Sequence, residues 1–356
     1  MKRISHLILA LGLGAVAAAS AQDTTKVVPV APKPAPVVLK GTPILKIYAN
    51  WFYDFTDGAT KTSGFDLTRA YLGYKQDFSE QLSGEMKLDV GRENFVTSAA
   101  FDTTTKKVTT KTDARYNAFL KTAGLTWKNV LPMTTLQAGL IGTNLFDPIE
   151  AFWQNRFVFP TFMDQNGFGS SADLGAKVAV KTSDMLTLNA ELLNGEGYKA
   201  AQDANGDYKA SLSANLRLPM GVQAVAYVDE MPVHGAETQM TYSLFVAYEI
   251  KDLFRIGGEY DYQVANSGVK DHDWSGFSAN AAYTITKGVY VFGRFDDLMS
   301  KSDWDKNGKD GTRIIAGVGY DPAKGVKLAA NFQSFQPAAS GAKAQPMAML
   351  NLQYAY

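Results

Sequence analysis

The last nine residues, Ala348-Met349-Leu350-Asn351-Leu352-Gln353-Tyr354-Ala355-Tyr356, alternate without a break. Successive side chains of an extended strand point to opposite sides. Tyr356, Tyr354, Leu352, Leu350 and Ala348 therefore share one face, and Ala355, Gln353, Asn351 and Met349 the other. Chain termini fray and stay polar unless something ties them down, so this apolar face predicts a terminal strand that is paired. An edge strand of a soluble sandwich fits the same nine residues, and the choice falls to the chain upstream.

From Leu45 the period is two and stays two. Leu45, Ile47, Ala49, Trp51, Tyr53 and Phe55 line up against Lys46, Asn50 and Asp54. Thr68, Ala70, Leu72 and Tyr74 oppose Arg69, Tyr71 and Lys75, and Met86, Leu88 and Val90 oppose Glu85, Lys87 and Asp89. Further alternating stretches follow at 116–127, 134–142, 172–181, 186–194, 208–218, 222–229, 241–250, 254–263, 275–285, 289–297, 312–320, 326–334 and 348–356, which makes sixteen strands. In 116–127 and 289–297 both faces carry aromatics, and alternation does not fix the phase.

The connections alternate too. Links after even strands are short, as at 219–221, 251–253, 286–288 and 321–325; those after odd strands are long and polar, as at 92–114, 195–207, 230–240 and 298–311. A transmembrane barrel with both ends in the periplasm requires that parity, with short inner turns and longer outer loops. A soluble sandwich does not. Closure also removes the unpaired strand edges that hydrocarbon does not tolerate.

Composition agrees. The 356 residues hold no cysteine, 31 glycines, 17 Tyr and 20 Phe, and the mean hydropathy is slightly negative. Helical membrane proteins need apolar runs of roughly 20 residues, and the one long apolar run is at the start. Lys2 and Arg3, the apolar core Leu7 to Ala19 and the small residues Ala19-Ser20-Ala21 read as a signal peptide over 1–21. Without Lys2 and Arg3 the chain keeps 33 basic against 35 acidic residues, which excludes the basic surplus of a nucleic-acid binder. Residues 22–42, with Pro29, Pro32, Pro34 and Pro36, read as an extended periplasmic tether, and 43–356 as the barrel.

One long link differs from the rest. Residues 143–170 hold Phe146, Phe152, Trp153, Phe157, Phe159, Phe162 and Phe168 beside Asp147, Glu150, Arg156 and Asp164. A loop this long without strands is usually functional, and one this aromatic is expected to pack. The expectation is a third outer loop folded inward to narrow a channel, with Asp147, Glu150, Arg156 and Asp164 as its charged members; the alternative is a lid or subunit contact outside the barrel.

Gly64-Phe65-Asp66-Leu67-Thr68-Arg69-Ala70-Tyr71-Leu72-Gly73, the third-loop region and Leu193-Asn194-Gly195-Glu196-Gly197 resemble the phosphate-selective porin family, the O and P type, in a layout running from about 43 to 356. The resemblance implies a sixteen-stranded, generally trimeric, anion-conducting channel of the outer membrane of a Gram-negative-type bacterium. The last strand also resembles the closing strand of bacterial outer-membrane barrels, whose terminal aromatic the assembly machinery recognises, and this assigns Tyr356 and Tyr354 to assembly. One departure stands out: that family lines its pore with an arginine ladder and lysine clusters, and no run of basic residues here maps onto them.

If the more apolar face of each strand meets lipid, the lumen receives Arg69, Lys75, Lys87, Lys177, Lys181, Lys209, Arg217, Arg255, Arg294, Arg313 and Lys327 against Glu85, Asp89, Asp173, Glu191, Asp229, Glu249, Glu259, Asp261, Asp296 and Asp321. So even a balance predicts weak selectivity, since ion preference follows the charge at the narrowest ring. Arg69, Arg255, Arg294 and Arg313 are the candidate anion contacts, because a guanidinium stays ionised and offers a planar fork to oxyanions. The competing reading is pairing within the wall, Arg255 with Glu259 and Arg294 with Asp296.

Rival sites are weaker. Residues 303–310 have carboxylates at calcium-loop spacing but no closing acid, and 203–207 reads as a turn. His234 and His272 are the histidines left after leader removal, and neither has a paired nucleophile, so no enzyme, metal or cofactor is expected. The reading is an all-β, transmembrane antiparallel barrel acting as a passive diffusion channel for small hydrophilic solutes with weak anion preference, phosphate among them. Its expected partners are outer-membrane lipid, solutes or anions, the barrel assembly machinery and two further copies in a homotrimer. The alternative is a structural or adhesive barrel with a blocked pore.

Overall fold

The computed structural model describes residues 41–60, 62–92, 95–102, 107–113 and 115–356. The expected signal peptide and tether lie outside them, except that Gly41 and Thr42 already belong to the first strand. In chain order the strands are β1 (Gly41–Asp54), β2 (Ser63–Asp77), β3 (Leu82–Arg92), β4 (Phe95–Asp102), β5 (Lys107–Asp113), β6 (Tyr116–Lys128), β7 (Thr134–Gly142), β8 (Ala172–Lys181) and β9 (Leu186–Leu193). There follow β10 (Lys209–Arg217), β11 (Val222–Met231), β12 (Gln239–Ile250), β13 (Phe254–Val264), β14 (Trp274–Thr286), β15 (Val289–Ser300), β16 (Gly311–Ala323), β17 (Val326–Pro337) and β18 (Gln345–Ala355). Two short helices, α1 (Asp147–Trp153) and α2 (Phe162–Asn166), stand between β7 and β8.

Sixteen strands close into one antiparallel barrel in sequence order, with β4 and β5 left out as a separate two-stranded hairpin between β3 and β6. That hairpin occupies part of the link read as plain polar loop. All sixteen expected barrel strands are present, and the short links sit at one end and the long ones at the other.

The barrel closes where the terminal strand meets the first. Ile47 faces Tyr354, Ala49 faces Leu352, Trp51 faces Leu350 and Tyr53 faces Ala348, so the apolar faces of β1 and β18 form one surface. Tyr356 N–H donates to the Leu45 carbonyl at 2.9 Å, which ties down the carboxyl terminus.

The outward face explains why the alternation was so regular. Leu244, Ile256, Ile314 and Leu350 are about half exposed (54, 47, 54 and 55 %), as apolar side chains facing lipid should be. Tyr74, Phe78, Trp127, Tyr248, Tyr283, Tyr320 and Tyr354 project near the short turns, and Phe65, Tyr116, Tyr260, Phe277 and Phe332 nearer the long loops. Outer-membrane barrels carry girdles of aromatic side chains at both interfaces, with Tyr and Trp placing their polar edge at headgroup level, and these residues form the two girdles here.

The two strands of uncertain phase have separate causes. In β6, Leu120 pairs with Leu88 and Thr122 with Lys87, which leaves Lys121 unpaired in a bulge. A bulge inserts one residue and turns the alternation over, so Phe119 precedes the switch and Thr122 follows it on the same lumen side. In β15, Tyr290, Phe292 and Arg294 all point inward and are buried. Their neighbours there are protein, because the third outer loop fills that side of the barrel.

Candidate functional site in the barrel lumen

The 143–171 link enters the barrel. Asp147 opens α1 with Pro148 beside it, a residue suited to a first helical turn because its missing N–H is not needed there. Ile149, Phe152 and Trp153 make the buried face of α1. Phe152 packs edge to face on Phe245 of β12 at 5.3 Å, and Trp153 on Phe292 of β15 at 6.1 Å. The chain then runs to the β17–β18 wall and returns through α2, where Phe162 meets Phe168 and Phe168 meets Trp274 of β14, both at 5.8 Å. Burying each such side chain contributes about 1.5–3 kcal/mol.

A loop sunk into a barrel must also satisfy its backbone. Here wall side chains supply the partners. Asn351 donates to the Phe157 carbonyl (3.1 Å), Gln263 to that of Phe168 (2.8 Å) and Gln333 to that of Val158 (3.4 Å). Arg294 donates to the Pro160 carbonyl, and the Tyr290 hydroxyl to Asn155 Oδ1 at 2.9 Å.

Two glycines make the holes into which the loop rings fit. A Cβ on Gly257 of β13 would stand 2.6 Å from the Phe152 ring and 3.1 Å from that of Phe245. At Gly276 of β14 it would stand 2.4 Å from the Phe162 ring. Real Cβ atoms do not approach so closely, so a larger residue at either position displaces the loop or the wall.

The loop's charged side chains turn the other way. Arg156 bridges Glu150 (3.4 Å) and Asp164 (2.8 Å) across the loop itself. Burial works against the Arg156 charge, but the Asp164 and Glu150 carboxylates outweigh it and hold the guanidinium protonated. The Asp147 side chain is open to the lumen, but the surrounding barrel partly desolvates its carboxyl and raises it above its ordinary range, with nearby Lys177 opposing. Facing them are Lys46 of β1, whose charged neighbours are Glu150, Lys87, Arg156 and Lys121, and Lys121 of β6, whose neighbours include Asp89, Glu150 and Asp164. The loop's acids thus look across at lysines on β1, β3 and β6. Lys121 was not among the residues assigned to the lumen, because the bulge hides its direction. Lys46 was visible on the polar face of β1 but was not counted.

The four candidate anion-contact arginines do not come together as one cluster. Arg69 is bound to Asp89 at 2.7 Å, and the Tyr198 hydroxyl donates to the same carboxylate. Arg294 is 4 % exposed and grips Asp296 with two 2.7 Å bonds, so the local pair read from the sequence forms. Arg255 reaches Gln154 at 3.4 Å and lies over Tyr290 at 5.6 Å, and it makes no pair with Glu259. Arg313 lies over Phe159 at 4.5 Å and over Phe335 at 4.8 Å. Neither Arg255 nor Arg313 is ion-paired among the described residues.

Cavities of about 850 and 340 Å³ lie towards the two ends of the barrel. The larger is walled by Arg255, Lys327, Asp321 and the short turns; the smaller by Asn50, Arg69, Arg156, Phe159, Arg313 and Phe335. A second loop also turns in. Asp173 accepts from Gly195 N–H (2.7 Å) and Gly197 N–H (3.2 Å), which gives the Leu193–Gly197 motif a physical role. It delivers Tyr198 to Asp89 and places its ring edge-on to Phe119.

The rival sites are occupied by local structure. Asp305 and Asp310 bond within their loop and to Ser300, and Lys306 pairs with Asp303. His272 stacks on Trp304 at 4.1 Å, while Asp271 and Asp273 both pair with Lys301. Asn205 and Asp207 N–H groups close a turn on Asp203 and Asn205.

The sequence matches no model of a known protein family and no curated protein. Solved structures do resemble the fold. The outer membrane channel DcaP of Acinetobacter baumannii aligns over 92 % of this chain and 100 % of its own, with 13 % identity and a TM-score of 0.62. OprB of Pseudomonas putida aligns over 89 % and 94 %, with 9 % identity and a TM-score of 0.65. OmpF of Salmonella typhi, in a complex with daunomycin, aligns over 89 % and 97 %, with 12 % identity and a TM-score of 0.61. At such identities the likeness is one of fold, a closed antiparallel barrel of the kind found in bacterial outer-membrane proteins.

Proposed function

We propose that the chain is an outer-membrane porin, a passive diffusion channel for small hydrophilic solutes with a weak preference for anions, phosphate among them. The observation that carries this reading is the third loop inside the barrel, with its acids facing Lys46, Lys87 and Lys121 and cavities towards both ends. A transverse field of that kind orients a solute while the net charge of the ring sets ion preference. Transport needs no cofactor and makes or breaks no covalent bond.

Of the four candidate arginines, Arg255 and Arg313, which make no ion pair among the described residues, support the anion preference more than Arg69 and Arg294, which are paired. Membership of the phosphate-selective type is supported by the motifs at 64–73 and 193–197, with the paired arginines as its main departure. A homotrimer is the proposed assembly; one fold neighbour, OmpT of Vibrio cholerae, is described in a trimer form (13 % identity, TM-score 0.53). Residues 1–21 serve as the export signal, 22–40 as the tether, since Gly41 and Thr42 belong to β1, and Tyr356 with Tyr354 as the mark read by the assembly machinery.

Planar-bilayer recording tests the reading. Discrete conductance steps are expected, with a reversal potential slightly towards chloride in a KCl gradient. A purified, folded barrel that never conducts would favour the second reading, a structural or adhesive barrel with a blocked pore.

A further inference from the structure

We propose that the loop-side vestibule contains a binding subsite for small carboxylates with a flat apolar body, aromatic monocarboxylates, centred on Arg313. The proposal deepens the channel reading above and rests on it. Its basis is the difference between three arginines that line one cavity of about 340 Å³. Arg69 is neutralised by Asp89, and Arg156 by Glu150 and Asp164. Arg313 is the guanidinium of that cavity that makes no ion pair among the described residues; Asp296, opposite it on β15, is engaged by Arg294 in two 2.7 Å bonds.

Arg313 is held in place by rings. It lies over Phe159 of the loop and over Phe335 of β17, so cation–π attraction orients it without using its hydrogen bonds. None of its N–H groups donates to a protein acceptor among the described residues. A planar guanidinium with free donors matches the two oxygens of a carboxylate.

The rest of the cavity is unsuited to a bare inorganic ion. Phe157, Phe159, Phe335, Met347 and Met349 supply its walls, and thioethers and rings favour a flat apolar partner. The polar remainder of the lining is neutral side chains, Asn50, Thr68, Gln333 and Gln345, besides the two paired arginines. A second cavity of about 260 Å³ shares Arg313, Phe335 and Gln345 with the first and continues along α2 to Lys309. A ligand therefore meets apolar walls around Arg313, the guanidinium there that is not ion-paired, with a route of approach from the long-loop end that passes Asp296 and Lys309.

The experiment is equilibrium binding by calorimetry to the folded full-length barrel in detergent, using sodium benzoate, sodium acetate and inorganic phosphate as probes. Benzoate should bind at least about tenfold more tightly than either of the others, and Arg313→Gln should lose about tenfold of that affinity, as expected for one charged hydrogen-bonding partner. Phe335→Leu keeps the charge and should weaken benzoate while leaving acetate unchanged. Equal binding of benzoate and acetate by the unmodified protein would overturn the subsite, and that comparison holds even if Arg313→Gln fails to fold. Bilayers separate this proposal from the channel reading. A conducting barrel whose current benzoate interrupts no more than acetate does refutes the subsite alone; a folded barrel that binds benzoate but never conducts refutes the channel alone.

Discussion

The two inner walls of this barrel differ far more than the two outer ones. On β11 to β17 the lumen face carries Tyr227, Phe245, Trp274, Phe292, Ile315 and Ala329, all buried under the third loop. On β1, β3, β6 and β8 it carries Lys46, Lys87, Lys121 and Lys177, which look towards the loop's acids. Outside, both walls show the same apolar band. A lipid-facing residue answers to one solvent, which is the same all the way round. A lumen-facing residue answers to whatever fills the lumen beside it: on one side the loop, which buries rings and the Arg294–Asp296 pair alike, and on the other the lysines that face the loop's acids.

The seam between the walls runs through β1 and β18, and the largest effect is expected there. Deleting Tyr356 removes an exposed ring and the 2.9 Å bond from its N–H to Leu45. Most of the barrel should then be lost from the outer membrane, as measured by heat-modifiable migration of membrane fractions, while the channels that do assemble conduct normally. Normal insertion of the truncated chain would leave Tyr356 without an assembly role.

Next comes the contrast itself. Gly257→Leu drives a side chain into the Phe152 ring, 2.6 Å from where its Cβ would lie. Overpacking of this kind costs about 1–3 kcal/mol, which shifts loop docking by roughly five- to a hundredfold. Single-channel conductance should rise and become noisier as α1 leaves the wall. Adding Phe152→Ala gives the leucine room and should restore quiet steps; unchanged conductance in Gly257→Leu would show that the loop does not limit flow.

Much of this was legible from residues alone, and the exceptions follow from the same contrast. Leu350, Leu352 and Tyr354 declared the outer face because lipid admits nothing else, and their pairing with Trp51, Ala49 and Ile47 followed from it. Phe292 and Tyr290 confused the phase of β15 because the loop docks on them, which no local pattern records. Lys121 was lost to a bulge, whose extra residue looks in sequence like any other. Arg69 with Asp89 needed knowledge of which strands are neighbours and in what register, whereas Arg294 with Asp296, two residues apart on one strand, could be read directly. The hairpin β4–β5 was read as polar loop because it does not enter the barrel wall.

The charged wall gives a smaller effect. Reversing Lys46 and Lys121 together, each to Glu, should move the reversal potential from slightly anion-selective to cation-selective. The Debye length is about 10 Å in 0.1 M salt and about 3 Å in 1 M, so the change should be clear in the first and nearly absent in the second. Lys327→Glu, in the cavity towards the short turns beside Asp321, should change selectivity much less. An equal shift from all these positions would mean that total lumen charge, not the ring facing the loop, sets the preference.

The smallest expected effect is a pH dependence. Partial desolvation inside the barrel raises the lumen-exposed Asp147 carboxyl above its ordinary range, with Lys177 opposing and Glu150 adding to the rise. A raised carboxyl takes up its proton earlier as pH falls, so between neutral and mildly acidic pH the loop loses negative charge before ordinary surface acids do. Lysines stay protonated throughout that interval. Acidification should therefore make the channel more anion-selective, by less than the double lysine reversal shifts it the other way, because Asp147 is one charge among several. Asp147→Asn should start from the acid-side selectivity at neutral pH and lose most of the pH dependence. If the variant titrates like the parent, the responsible acid lies elsewhere on the ring, and Glu150 and Asp164, both held by Arg156, become the groups to substitute.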